Sequence, residues 1–208
     1  MSSFSEKKLL IATYNQGKFE EFKSILGDLD LQIMSAKDLN LSEPKETENS
    51  YLGNARIKSR SSCQASNLPS LADDSGIEVH ALNNQPGVYT ADWAETKTGR
   101  DFKKAMDLLW TKLTLTKKQK PFSAEFCCTL VLTFPNGEEK IFEGRVTGEI
   151  VWPMRGPEGH GYDPIFLPKG YSKTFGEMKE HQKNRISHRY KALRKFINFY
   201  QEISPNID

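Results

Sequence analysis

The sequence predicts an α/β fold: a mixed, twisted central sheet with flanking helices, arranged as two lobes with a cleft between them. Three observations carry this. Short apolar runs alternate with helix-period stretches from Lys7 to Ala65. A β-rich stretch from Ser123 to Ile150 folds about Pro135-Asn136-Gly137 as a long hairpin. A helix-period stretch runs from Ser187 to about Glu202. Strands joined through helices pair in parallel and hairpin strands pair antiparallel, so the sheet is mixed. The hairpin arm is long enough to build a second lobe, and a cleft between lobes is the default ligand site.

Lys7 to Thr13 reads as a buried strand, broken by Tyr14 to Gly17. Lys18 to Leu26 then places Phe19, Phe22, Ile25 and Leu26 on one helical face, and Gly27 ends it. Leu31 to Ser35 is a second strand. Pro44 precedes a polar loop, Lys45 to Asn49, and a helix from Ser50 to Ala65 follows, with Gly53 inside it. Leu71 to Leu82 reads as a strand interrupted by Asp-Ser-Gly. Pro86-Gly87 reads as a loop, and Arg100 to Leu113 as a helix with Phe102, Ala105, Met106, Leu109 and Leu113 on its apolar face. Glycine-rich loops occupy Gly156 to Gly161. The last helix buries Leu193, Phe196, Ile197 and Tyr200 behind Ser187 as N-cap.

A chain of 208 residues fills one core or two small lobes, read here as a single domain over 1–208. Its 29 basic and 27 acidic residues nearly cancel, so no global field calls for nucleic acid or a membrane surface. Met1 to Lys8 is polar, and the apolar run Leu9 to Thr13 is too short for a signal-peptide core; no run reaches the length of a membrane span. Cys63, Cys127 and Cys128 fit no metal-ligand spacing and read as reduced packing residues of a cytoplasmic protein.

Five polar patches remain. Ala12 to Lys18, A-T-Y-N-Q-G-K, joins the first strand to the first helix, where free N–H groups and the helix dipole favour an anion. Lys18 suits such an anion, although the P-loop spacing is absent. Lys45 to Glu48 leads into the helix where Asn54 and Lys58, four apart, share a face. In Asp73-Asp74-Ser75-Gly76 two carboxylates interrupt buried strand residues. One reading is an Asx-turn at a strand end. The other is a carboxylate that holds Mg²⁺ with substrate phosphates, or that orients or deprotonates a water. Arg155 to Pro168 combines glycines with His160 or Tyr162, able to stack on a flat ligand, and Asp163, able to accept its hydrogen bonds. Lys183 to Arg189 opens the last helix with Lys183, His188 and Arg189 as a donor cluster that needs an acceptor.

These patches, in this order, resemble the inosine triphosphate pyrophosphatase family, the non-standard purine NTP pyrophosphatases. The resemblance runs from about Leu9 to Arg194. Thr13 to Lys18, Glu46-Thr47, Asn54 to Lys58, Ala72 to Gly76, Pro86-Gly87, Gly159 to Phe166, Phe175 to Met178 and Ser187-His188-Arg189 carry it. It implies Mg²⁺-dependent hydrolysis of ITP, dITP and XTP between the α and β phosphates, by a homodimer of two-lobed α/β subunits. Thr13, Asn15 and Lys18 would then hold phosphates, with Lys58 adding charge beside them. Glu46 and Asp74 would coordinate Mg²⁺, with Asp74 also the base and Asp73 a support behind it. Ser75, His160, Gly161, Tyr162, Asp163, Lys183, His188 and Arg189 would bind the nucleotide, the last two reading the base. Donors there suit the 6-keto oxygen of hypoxanthine and xanthine and would be left unpaired by adenine.

The chain departs from the family pattern at five positions. His160 replaces an aromatic, Glu48 a glycine, Gly53 a glutamate, Tyr14 a small residue and Asp92 an arginine. Two other readings stand beside the leading one: a pyrophosphatase for another modified nucleotide, and a nucleotide- or RNA-binding protein without catalysis.

Overall fold

The computed structural model describes residues 7–203, so the polar N-terminal reading falls largely outside the described residues. In chain order the elements are β1 (Lys8–Ile11), α1 (Gln16–Leu26), β2 (Gln32–Ser35), α2 (Tyr51–Ser66), β3 (Ser70–Val79), β4 (Gln85–Gly87), β5 (Glu95–Thr96), β6 (Gly99–Arg100), α3 (Phe102–Thr114), β7 (Phe122–Thr133), β8 (Glu139–Ile150), β9 (Phe166–Pro168), α4 (Glu180–Asn184) and α5 (His188–Ile203).

The main sheet has the order β2-β1-β3-β7-β8-β9, with β4 paired to β3 off this path. β1 runs parallel to β2, with Leu9 opposite Ile33, and parallel to β3, with Leu10 opposite Ser70. β3 meets β4 antiparallel, and β8 meets β9 antiparallel. The sheet is mixed, as expected. β5 and β6 form a separate two-stranded ribbon.

Two compact units divide the described residues, one of residues 7–74, 128–144 and 189–203, the other of 75–127 and 145–188. The first has its own core: Leu9 and Ile11 of β1, Phe22 and Leu26 of α1, and Leu193, Phe196 and Tyr200 of α5. The second packs Ala105, Leu109 and Leu113 of α3 with Phe126, Phe166 and Phe175. Burying side chains of this size contributes about 1.5–3 kcal/mol each relative to exposure.

Helix starts follow local chemistry. The Asn15 side chain caps α1 by accepting from the Lys18 N–H at 3.1 Å, and Ser50 caps α2 by accepting from Gly53 N–H at 3.1 Å. Each satisfies an N–H that the first helical turn leaves unpaired.

Three expectations are corrected. β3 is not interrupted at Asp-Ser-Gly; it runs unbroken from Ser70 to Val79. Cations reach both carboxylates, and the turn comes later, at Asn83 and Asn84 with φ of 53° and 63°. Pro86-Gly87 is strand β4, paired to the end of β3. Lys183 does not open the last helix; it sits on the separate five-residue α4. The ribbon β5-β6, β9 and α4 are too short to leave a periodic signal.

Candidate active site

β1 occupies a switch point in the sheet. Its first crossover, through α1, leads to β2 on one side; the next, through α2, returns to β3 on the other. In open α/β sheets ligands bind outside the carboxyl ends of strands at such a point. Thr13 and Asn15 lie just beyond the carboxyl end of β1, and Asp73 and Asp74 lie on β3.

Asp73 is 1% exposed. Its Oδ2 lies 2.8 Å from Lys18 Nζ and accepts from Arg189 Nη2 at 3.2 Å. Arg189 Nη1 donates to Glu21 of α1. Burial opposes the Asp73 charge, but Lys18, Arg189 and Lys58 outweigh it and hold the carboxyl far below its usual range.

Asp74 faces other partners. Asn54 Nδ2 donates to its Oδ2 at 3.3 Å, and Lys58 Nζ lies 4.0 Å from its Oδ1. Lys58 also donates to Glu46 Oε1 at 2.6 Å. Burial pushes the Asp74 carboxyl up to about 6; Lys58 and Lys18 pull it down, and Glu46 and Asp73 add to the rise. The buried Lys58 ammonium is disfavoured by burial, yet Asp73, Asp74 and Glu46 raise it overall. Asn54 and Lys58 converge because four residues on a helix return to one face.

Four carboxylates, Glu21, Glu46, Asp73 and Asp74, therefore meet three cations, Lys18, Lys58 and Arg189. Burial is the main cause of the upward shift of Asp74, and the negative charge of Glu46 and Asp73 adds to it. Oxygen donors with surplus negative charge suit a hard divalent cation, and Glu46 and Asp74, which share Lys58, are two such donors. Among the described residues Glu78, Glu125 and Cys127 also lie close enough for one ion. There Arg145 Nη1 already donates to Glu78 at 3.0 Å and to Glu125 at 3.2 Å. Burial, then Glu78, pushes the Cys127 thiol up, away from the thiolate a metal needs.

The residues of the turn between β1 and α1 are unevenly exposed. Thr13 is buried, its Oγ1 accepting from the Asn15 N–H at 3.3 Å, while Asn15 is exposed. A cavity of about 310 Å³ opens beside them, lined also by Tyr14, Phe19, Lys37 and Asn40. The Tyr14 hydroxyl donates to the Ser42 carbonyl at 2.8 Å. Ser75 is half-buried on β3.

In the second unit Asp163 Oδ2 accepts from the His160 N–H at 2.7 Å and from Lys183 Nζ at 2.5 Å. This closes the glycine loop around Gly161. Tyr162 is 1% exposed; its ring meets Phe102 edge-on at 6.0 Å and its hydroxyl donates to Thr90 O at 3.3 Å. The Tyr162 ring is thus a core group, and of the two rings considered for stacking, His160 is the exposed one. His188 is buried and stacks on Phe126, centroids 4.9 Å apart at 10°. Lys183 goes to Asp163 and Arg189 to Glu21 and Asp73, so these two donors of the expected cluster serve different acceptors.

One residue of this charge cluster was not singled out from the sequence, Glu21. Glu21 left a signal: a carboxylate three residues after Lys18, on the helical face of Phe22 and Ile25.

The Ham1 family model matches residues 9–199. A dITP/XTP pyrophosphatase of Ruegeria pomeroyi is 49% identical over 195 residues, covering 94% of this chain and 96% of the relative. One from Gluconobacter oxydans is 44% identical, covering 92% and 89%. Among solved structures, a HAM1 protein from Coxiella burnetii is similar with a TM-score of 0.87 at 31% identity, covering 94% of this chain and 98% of that one. The Staphylococcus aureus Ham1 protein gives 0.82 at 34%, with the same coverage. With the match running from β1, through both aspartates, into α5, the chain belongs to the Ham1 family.

Proposed function

We propose that this protein hydrolyses non-standard purine nucleoside triphosphates, ITP, dITP and XTP, to the monophosphate and pyrophosphate with Mg²⁺. It thereby removes deaminated purines from the nucleotide pool. The observation that carries this is Asp74: a buried carboxyl raised to about 6, held by Asn54 and Lys58 at the sheet's switch point. The relatives named as dITP/XTP pyrophosphatases support the substrate class.

Glu46 and Asp74 would hold the Mg²⁺, which would supply neutralising charge to the triphosphate. Thr13, Asn15, Lys18 and Lys58 receive the phosphates. A triphosphate carries about four negative charges, and fixed cations supply the electrostatic stabilisation that dominates phosphoryl chemistry. Asp74, ionised at neutral pH, takes the proton of the attacking water. Ser75, His160, Gly161, Tyr162, Asp163, Lys183 and His188 form the nucleotide side. Arg189 acts by holding Asp73, since its guanidinium donates to Glu21 and Asp73.

A near-neutral charge supports a free nucleotide rather than a nucleic acid as partner. Among the described residues no helix is long and apolar enough to cross a membrane. The same reading carries one functional domain of two lobes, a homodimer and a cytoplasmic setting.

Pyrophosphate release from ITP, dITP, XTP, GTP, ATP and dTTP with Mg²⁺ tests the proposal, using wild type and Asp74→Asn. Release from the first three, lost by at least about a thousandfold in the variant with melting unchanged, is expected. Preference for another nucleotide would shift the reading to a different modified substrate, consistent with His160 at the exposed loop. No release from any would leave a binding protein.

A further inference from the structure

Two departures from the family pattern, Glu48 and Gly53, touch each other. A Cβ at position 53 would lie 2.5 Å from Glu48 Cβ and 2.7 Å from its Cγ. Such separations are not found between real carbon atoms, and the atoms concerned sit at the root of the Glu48 side chain, where rotation gives little relief. Gly53 is therefore the seat on which Glu48 rests.

The contact lies between the loop that carries Glu46 and the first turn of α2 that carries Asn54. Glu48 N–H donates to Asn54 Oδ1 at 2.9 Å, which turns the Asn54 amide so that its Nδ2 donates to Asp74 at 3.3 Å. Two residues before Glu48, Glu46 meets Lys58, one helical turn beyond Asn54. Ser50 Oγ, which caps α2, would lie 3.0 Å from the same Cβ. One close packing point thus sets the loop, the cap and the Asn54 amide together.

We propose that Glu48 and Gly53 are a coupled positioning pair: the missing side chain at 53 seats Glu48, and this fixes Glu46 and Asn54 relative to Asp74. Neither residue needs to touch substrate. The inference rests on the assignment of Glu46 and Asp74 to the metal.

The test is a cycle of Gly53→Ala, Glu48→Gly and the double variant, read in three ways. The readouts are Mn²⁺ binding to the full-length protein by electron paramagnetic resonance without nucleotide, melting without metal, and pyrophosphate release over a Mg²⁺ titration. Alanine is the better helix former, so Gly53→Ala alone would raise the melting temperature if nothing opposed it. The pair instead predicts a lower melting temperature and Mn²⁺ binding weakened about tenfold. The half-saturating Mg²⁺ should rise similarly, with kcat at saturating Mg²⁺ kept within about threefold. In the double variant Glu48→Gly should restore metal binding to within about threefold. A Gly53→Ala protein that melts higher and binds Mn²⁺ like wild type would overturn the proposal. So would a double variant as impaired as the single one, because the defect would then lie in the helix and not in the contact. The Mn²⁺ and melting readouts need no substrate, so an absence of ITP hydrolysis by wild type would count against the functional reading and leave the pair standing.

Discussion

Asp73 and Asp74 are consecutive residues of one strand, yet each carboxylate meets a different set of partners. Asp73 goes to Lys18 and Arg189, and Asp74 to Lys58 and Asn54. The alternation of side chains along a strand imposes this division. It ties Asp73 to α1 and α5 and Asp74 to α2, and under the proposed function the two should respond differently to the same substitution.

Asp73→Asn removes the negative charge that Lys18 and Arg189 share at a buried position. Breaking a buried pair by removing one partner costs about 3–5 kcal/mol. Urea unfolding should show a loss of this size for Asp73→Asn. Asp74→Asn, whose carboxyl is already raised by burial, should unfold close to wild type. Equal stability of the two variants would contradict the division of roles.

Glu46→Gln removes an oxygen charge next to Lys58 and keeps the shape of the loop. The expected outcome is at least about a tenfold rise in the Mg²⁺ needed for half-maximal turnover. Melting without metal should change little, since Glu46 is exposed. Chelation of the metal should stop wild-type turnover, and readdition of Mg²⁺ should restore it. An unchanged Mg²⁺ titration in the variant would remove Glu46 from the metal site.

Gly159→Ala places a methyl group 2.3 Å from Asp163 Oδ2 at a residue with φ of +83°. The left-handed backbone alone costs about 1–3 kcal/mol for a side-chain-bearing residue, and the clash disturbs the acceptor of Lys183 and the His160 N–H. A lower melting temperature and a raised KM for ITP are expected, with a smaller change in kcat. Steady-state kinetics and a melting curve check both.

Acid should weaken the protein partly through Glu139. Burial opposes its charge, but hydrogen bonds from Arg60 and Arg56 of α2 prevail and hold its carboxyl below the ordinary value of 4.5. A depressed carboxyl stabilises the fold fully above its unfolded value and loses that contribution as pH falls through the folded one. Urea midpoints measured from neutral pH down through the range below 4.5 should fall less steeply in Glu139→Gln than in wild type. Parallel curves would show that the two arginines contribute nothing through this charge.

Helices α1, α2, α3 and α5 and the β7-β8 hairpin were legible because their signals are local. Asn15 and Ser50 cap from three residues away, and the stripe through Leu193, Phe196 and Tyr200 repeats at helical spacing. The continuity of β3 was not legible. Asp-Ser-Gly is turn chemistry until cations arrive from α1, α2 and α5, and nothing near it in the chain announces them.

By itself the sequence determined the order of the longer elements and the family, because each rests on residue types at short fixed spacings. Only the tertiary structure decided which charge meets which. Arg189 joins Asp73 across 116 residues and Glu21 across 168, and separations of that kind follow from packing and not from spacing. The same holds for Tyr162 and Arg189. The sequence offered both to a ligand; the fold sets the Tyr162 ring against Phe102 and the Arg189 guanidinium against two carboxylates. A low-dielectric interior makes an uncompensated charge too costly to leave, so the fold pairs its buried ions first.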